Sequence, residues 1–151
     1  MGQVISSASM SLDGYIAKDD NTIGRLFDWL QNGSVELPSA SGDITFHMSP
    51  LSAEYWMRWV GGLGALVCGR TLFDFTGGGV AGLIAGQCLE LGLLDAVAID
   101  LVPVVMGTGR PYFGEVSVDD FCLGDPSACR QGDRVTHLVF PVTDRSSRGD
   151  G

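Results

Sequence analysis

The clearest pattern of apolar and polar positions lies between residues 82 and 113, which predict a helix, a tight turn, a buried strand and a glycine-rich loop. Gly92 is the expected left-handed end of the helix. Residues 96–105 are apolar except for Asp100, as in a strand covered on both faces, and Pro103 indicates a bulge or an open edge there. The apolar stripe of the helix, at three- and four-residue steps, consists of Leu83, Ile84, Cys88, Leu91 and Leu94.

The flanking segments predict further elements of one α/β domain. Residues 4–8 form a short strand that continues through a turn at Asp13-Gly14, and residues 134–142 alternate well enough to be a closing strand. We expect residues 65–68 to form a short buried strand. Residues 34–43 are rich in Pro, Ser and Gly and are interpreted as a surface loop. Between them a helix is predicted, capped by Ser49 or Ser52, with an apolar face of Leu51, Tyr55, Trp56, Trp59 and Val60.

Composition limits the classes of protein. A chain of 151 residues with 45% apolar content predicts one domain, residues 1–143, followed by a disordered, charged and Ser/Gly-rich tail at 144–151. The formal net charge of −9 argues against nucleic acid or an anionic membrane as partner, since both require basic surface. No apolar run is long enough to span a bilayer. The chain is therefore expected to be soluble and cytoplasmic.

Metal binding and serine-nucleophile chemistry are not expected. The four cysteines show no CxxC or CxxH spacing, which also disfavours a disulfide framework. His47 and His137 are the two histidines, and neither has a ligand-type residue at metal spacing. We interpret each as a surface or internally satisfied side chain. No serine stands in a GxSxG motif, and no histidine is expected to activate a serine as nucleophile.

Four ordered motifs carry a resemblance to a known family. They are residues 11–17 (SLDGYIA), Gly69-Arg70-Thr71, residues 82–95, and Val102-Pro103-Val104-Val105 with Gly107 and Gly109. Together they resemble the dihydrofolate-reductase-like family, typified by the reductase domain of riboflavin-biosynthesis deaminase–reductases. The resemblance covers residues 3–75 and 80–142, and it implies a mainly parallel sheet with helices on both faces, with NADPH across the carboxyl ends of the strands.

The resemblance also assigns site residues. It implies that Ile16 and Ala17 line the nicotinamide through backbone groups, and that Asp13 and Asp28 face the substrate as catalytic candidates. Residues 69–71 are placed beneath the adenosine phosphate, where the planar fork of Arg70 suits a phosphate group. The start of the helix is placed beneath the pyrophosphate, at Ala81, Gly82, Leu83 and Ile84. Of the glycine-rich triplet usual in the family, only Gly82 is kept.

One block of the family pattern has no counterpart here. Family members carry a strand–helix–strand block and one more strand where this chain has only residues 76–81, and a parallel crossover needs about a dozen residues or more. The sheet is therefore expected to lack strands that belong near its first strand. Two explanations are open: the block is deleted from the protein, or the protein contains a mobile segment there that is missing from this sequence.

Two functions from different classes follow. The first is an NADPH-dependent reductase that transfers hydride to a pterin-like or ribosylamino-pyrimidine small molecule, with a homodimer as the expected assembly. The second is a non-catalytic, dimerising remnant of the fold with a damaged cofactor cleft.

Overall fold

The computed structural model describes residues 2–39, 42–67, 84–114, 116 and 121–143. The described elements begin with β1 (Ile5–Ser11), β2 (Tyr15–Ala17), a 3₁₀ helix (Asp28–Leu30), β3 (Val35–Pro38), β4 (Thr45–Met48) and α1 (Pro50–Gly62). They continue with α2 (Ile84–Glu90), β5 (Ala96–Val102), β6 (Arg110–Pro111), β7 (Ala128–Gln131) and β8 (Thr136–Pro141).

The main sheet has the order β1-β5-β8-β7. β1 and β5 are parallel and in register along their whole length, from Ile5 opposite Ala96 to Ser11 opposite Val102. β8 runs antiparallel to β5, and β7 runs antiparallel to β8 because a short connection turns the chain back at residues 132–135. Within the described residues the sheet is therefore mixed, and the predicted parallel character is limited to the β1–β5 pair.

The two faces of this sheet are covered differently. On one face α2 packs against a cluster that includes Ala8, Val97, Ile99 and Tyr112. On the other face α1 and the 3₁₀ helix enclose a second cluster, whose buried members are Leu26, Trp29, Leu30, Met48, Ala53, Val102 and Val135. Helices on both faces agree with the sequence prediction.

Both described α-helices end or begin as their sequences predict. Ser49 is the N-cap of α1, and its side chain accepts a hydrogen bond from the Ser52 N–H. Just after α2 ends, Gly92 has a φ of 64°. The Leu93 N–H reaches the Cys88 carbonyl, and the Gly92 N–H reaches the Leu89 carbonyl, which satisfies the last carbonyls of α2.

Two sequence predictions about local structure are wrong. Residues 34–43 are not all loop, because β3 and β4 form an antiparallel hairpin whose half-buried Val35 and Leu37 pack on the α1 side. Residues 65–67 are not a buried strand: Leu66 and Val67 are 61% and 72% exposed, and no described strand pairs with them. A strand is stable only with a partner, so apolar sequence alone does not create one. The short joint at residues 76–81 and the predicted tail at 144–151 lie outside the described residues.

Candidate functional site

The carboxyl ends of the parallel strands β1 and β5 lie side by side, and the loop that follows each strand is tied to the other. After β1 the chain turns at Gly14, whose φ is 93°, and enters β2. After β5 it passes Pro103 and a glycine-rich loop, residues 106–109, and enters β6. β2 and β6 then pair with each other antiparallel. Ligands of open α/β sheets bind at such strand ends, so this edge is the candidate ligand site.

Asp13 lies between the two loops, and both of its carboxylate oxygens accept hydrogen bonds there. Its Oδ1 accepts a 2.6 Å hydrogen bond from the Ser11 hydroxyl, and its Oδ2 accepts a 2.7 Å bond from the Gly107 N–H. The Met106 N–H lies 3.1 and 3.2 Å from the two oxygens. The Ser11 hydroxyl, followed by the two loop amides, lowers the pKa of Asp13 to about 2. The carboxylate is therefore ionised at neutral pH and holds backbone donors.

Ile16 and Ala17, predicted to line the nicotinamide, stand on β2 directly beside the glycine-rich loop. Ile16 is half-buried and packs against the α2-side core. Gly109 has a φ of 151°, and a Cβ at that position would collide with the Ala17 carbonyl oxygen. Only glycine allows the loop to come this close to β2.

Asp28 occupies a different environment from Asp13. It is the first residue of the 3₁₀ helix, and its Oδ2 accepts a 2.7 Å hydrogen bond from Arg25 Nε. Both side chains of this pair are largely exposed, so the pair contributes little to stability. No hydrogen bond joins Asp13 to Asp28 in the described part of the chain. The catalytic assignment of both residues stays a prediction.

The predicted phosphate-binding positions lie outside the described residues. These are Gly69, Arg70, Thr71, Ala81, Gly82 and Leu83. Ile84 is described as the first residue of α2, but only through its backbone.

A buried chain of polar side chains, which the sequence analysis missed, crosses from the sheet to α1. Asp100 Oδ1 lies 2.6 Å from His137 Nδ1, and His137 Nε2 lies 3.0 Å from Ser52 Oγ. The exposed fractions of the three residues are 7%, 0% and 1%. Asp100 and His137 face each other across β5 and β8, whereas Ser52 projects from the first turn of α1. His137 is therefore an internally satisfied side chain, which is one of the two interpretations made of it from the sequence.

Aromatic rings enclose this buried chain. The Tyr55 ring stacks on His137 with centroids 4.2 Å apart, and the Trp29 ring presents an edge at 5.2 Å. Trp29 also donates its indole N–H to Ser9, which is opposite Asp100 on β1. Burial, and then the nearby Asp100 carboxylate, raises the pKa of Tyr55. The polar chain thus lies within an apolar and aromatic shell.

The order Asp–His–Ser resembles a nucleophilic triad, but its surroundings do not support hydrolysis. A nucleophilic serine must reach substrate, and Ser52 is 1% exposed. An oxyanion site needs free backbone donors, yet the Ser52 and Ala53 N–H groups both bond to Ser49. We therefore interpret the Asp100–His137–Ser52 hydrogen bonds as a polar link that holds α1 against the sheet. Its signal in the sequence was Asp100, a lone acid in an apolar strand, since a buried carboxylate requires a partner.

The described residues contain neither a metal-ligand group nor a membrane-spanning helix. No cluster of three or more His, Cys, Asp or Glu side chains in those ranges is placed to hold a metal ion. None of the described helices is both long and apolar enough to cross a membrane.

Comparison with known proteins identifies the fold. The sequence matches no protein-family model and no curated protein. The structure is similar to a "putative riboflavin biosynthesis protein" of Shewanella sp. PV-4, with a TM-score of 0.52 and 17% identity over 94% of this chain and 99% of that one. It is also similar to RibD of Acinetobacter baumannii, with a TM-score of 0.52 and 14% identity. The fold is dihydrofolate-reductase-like.

This likeness concerns the fold, because both identities are below 25%. The second match spans 95% of this chain but 58% of the Acinetobacter protein. The dihydrofolate-reductase-like fold was predicted from the ordered motifs at residues 11–17, 69–71, 82–95 and 102–109, and that prediction is confirmed.

Proposed function

We propose that this chain is an NADPH-dependent reductase that acts on a pterin-like or ribosylamino-pyrimidine small molecule. The observation that carries the proposal is the pair of tied loops at the carboxyl ends of β1 and β5, in a fold shared with riboflavin-biosynthesis proteins. In such sheets this edge is where ligands bind.

In this proposal the nicotinamide of the cofactor lies at this edge, against backbone groups of Ile16 and Ala17. The backbone of Ile16 and Ala17 runs beside the glycine-rich loop, and the absence of a side chain at Gly109 lets the loop contact the Ala17 carbonyl. The bound cofactor would supply the hydride. Arg70, with its neighbours Gly69 and Thr71, would hold the adenosine phosphate, and Gly82 would lie beneath the pyrophosphate at the start of the α2 segment.

The two aspartates differ in what they can contribute. A carboxylate with a pKa of about 2 is a poor proton donor at neutral pH, so Asp13 suits the role of a fixed polar anchor. Asp28 has one exposed partner, Arg25, which a substrate group can displace at small cost. Asp28 is therefore the better candidate for contact with substrate.

A non-catalytic, dimerising remnant of the fold is the second candidate. The observation in its favour is the segment 65–67, where an expected strand is exposed and unpaired within the described residues. β1 likewise has a described partner, β5, on one side only. A sheet that lacks a strand beside β1 would leave the cofactor cleft incomplete. We expect a homodimer for both candidate functions. Sedimentation that shows a monomer at micromolar concentration would contradict this expectation.

The test is a titration of NADPH and NADH, followed by tryptophan fluorescence, on the natural chain and on Arg70→Ala. We expect tighter binding of NADPH, and we expect Arg70→Ala to remove about 1–3 kcal/mol of that preference, or roughly fivefold to 150-fold. Arg130→Ala, on β7 at the far edge of the sheet, is the matched control and should keep the preference. Equal binding of both cofactors before and after the change would contradict the assignment. Binding of neither would favour the remnant.

A further inference from the structure

Asp13, in the loop that follows β1, binds the loop that follows β5 through its carboxylate. Beyond the hydrogen bonds to Met106 and Gly107, the same two loops are joined by backbone bonds from Leu12 N–H to the Val104 carbonyl at 2.8 Å and from Tyr112 N–H to the Gly14 carbonyl at 3.1 Å. The side chain of Asp13 is exposed, so this bonding is not imposed by burial in a core. It is a local arrangement of one acid and the donors around it.

The donors that meet Asp13 form a small anion-binding concavity. The consecutive N–H groups of Met106 and Gly107 converge on one carboxylate, and Gly107 has a left-handed φ of 78°. The Ser11 hydroxyl completes the set, and the same hydroxyl accepts a 2.9 Å hydrogen bond from the Tyr15 N–H at the start of β2. One carboxylate therefore fixes the glycine-rich loop and, through Ser11, the start of the strand that carries Ile16 and Ala17.

We propose that Asp13 is a positioning residue of the cofactor pocket, which holds the 106–109 loop at a set distance from β2 and does not itself transfer a proton. This inference rests on the proposed function. Because the carboxylate already fills the loop amides, these amides are not available to a phosphate group. The phosphates of a dinucleotide must then be bound elsewhere, and loss of Asp13 should weaken binding through the loop rather than through a lost contact.

The first experiment is independent of any cofactor. Amide hydrogen exchange is measured on the natural chain, on Asp13→Ala and on Asp13→Asn. Exchange at Met106 and Gly107 should become at least about tenfold faster in Asp13→Ala, and less so in Asp13→Asn, which keeps one carbonyl oxygen as acceptor. The paired amides of β5 and β8 should be unchanged. Asp19→Asn, the same change at a nearby exposed acid, is the control and should leave both regions as they are. Unchanged exchange at Met106 and Gly107 in Asp13→Ala would overturn the proposal.

The second experiment separates positioning from proton transfer. For Asp13→Ala the Kd of NADPH should rise about tenfold or more, Asp13→Asn should recover part of that loss, and the shape of the kcat against pH profile should stay the same. A collapse of kcat with an unchanged Kd, or loss of one limb of the pH profile, would show that Asp13 transfers a proton and would overturn the proposal. If the natural chain binds no NADPH, the proposed function fails, while hydrogen exchange still decides whether Asp13 holds the loop.

Discussion

Removal of the Asp100 carboxylate should destabilise the whole domain. In the folded protein Asp100 accepts the 2.6 Å hydrogen bond from His137, and both residues are at least nine-tenths buried. Asp100→Ala leaves the His137 Nδ1 group buried without its partner and opens a cavity between the sheet and α1. A buried donor left unsatisfied costs about 1–3 kcal/mol, and the cavity left by the removed carboxyl group adds to that cost. Domains of this size have a total stability of about 5–15 kcal/mol, so the loss is a large part of it.

Milder substitutions at Asp100 and Ser52 should lower the free energy of unfolding in proportion to the hydrogen bonds that they remove. Asp100→Asn keeps an oxygen for His137 and should cost about 1–3 kcal/mol, because the charge is lost. Ser52→Ala removes the outer hydrogen bond and should cost about 0.5–1.5 kcal/mol. Glu54→Gln breaks the exposed ion pair with Arg58 one turn along α1, and as the control it should change stability by less than about 1 kcal/mol.

The measurement is urea unfolding followed by tryptophan fluorescence. Trp29 is 1% exposed and presents its ring edge to His137, so its emission reports directly on this region. The midpoint should fall in the order Glu54→Gln, Ser52→Ala, Asp100→Asn, Asp100→Ala, with similar slopes if the transition stays two-state. An Asp100→Ala variant within about 1 kcal/mol of the natural chain would refute the reasoning, since it would mean that the chain of hydrogen bonds does not fasten α1 to the sheet.

Two further predictions concern single positions. Gly132→Ala should lower the free energy of urea unfolding by roughly 1–3 kcal/mol, because an added Cβ would press on Ser52 Oγ and Val135. Gly62→Ala on α1 is the control: its Cβ meets open space, so the change should be neutral or stabilising by up to about 1 kcal/mol. Equal effects of the two changes would contradict the packing argument. The Asp13 carboxyl has a pKa lowered from 3.8 to about 2, so the stability that it contributes is present above pH 3.8 and is lost as pH falls towards 2. The difference in unfolding midpoint between the natural chain and Asp13→Asn should therefore be constant at neutral pH and shrink in that acidic range; a difference that shrinks near pH 6 instead would rule this cause out.

The parts of the fold that were predicted from sequence are those specified by local signals. Gly92 ends α2 because its backbone can adopt a positive φ, and the following apolar run forms β5, which stops at Val102 just before Pro103. Ser49 begins α1 through its own side chain. Each of these signals acts within a few residues, so the sequence alone is enough to locate it.

The errors in the prediction come from partners that are distant in the chain. Val35 and Leu37 alternate with polar neighbours as strand residues do, but β3 exists because β4 pairs with it across a turn. The opposite error occurred at Leu66 and Val67, which are apolar and β-type but have no described strand beside them. Apolar pattern therefore indicates which residues can form a strand, and pairing decides which of them do.

The buried polar chain shows the same limit at the level of a site. Alternation within β5 and β8 indicates which face of its own strand carries Asp100 and which carries His137. It does not indicate that the two strands are neighbours. Their contact depends on the strand order β5-β8 and on the register that sets Asp100 opposite His137. A slip of one residue in that pairing would turn His137 to the α2 side and leave Asp100 buried without a partner. Because an unpaired buried carboxylate is so costly, the pair itself favours one register, and in this way two polar residues help to specify the sheet on which the candidate ligand site is built.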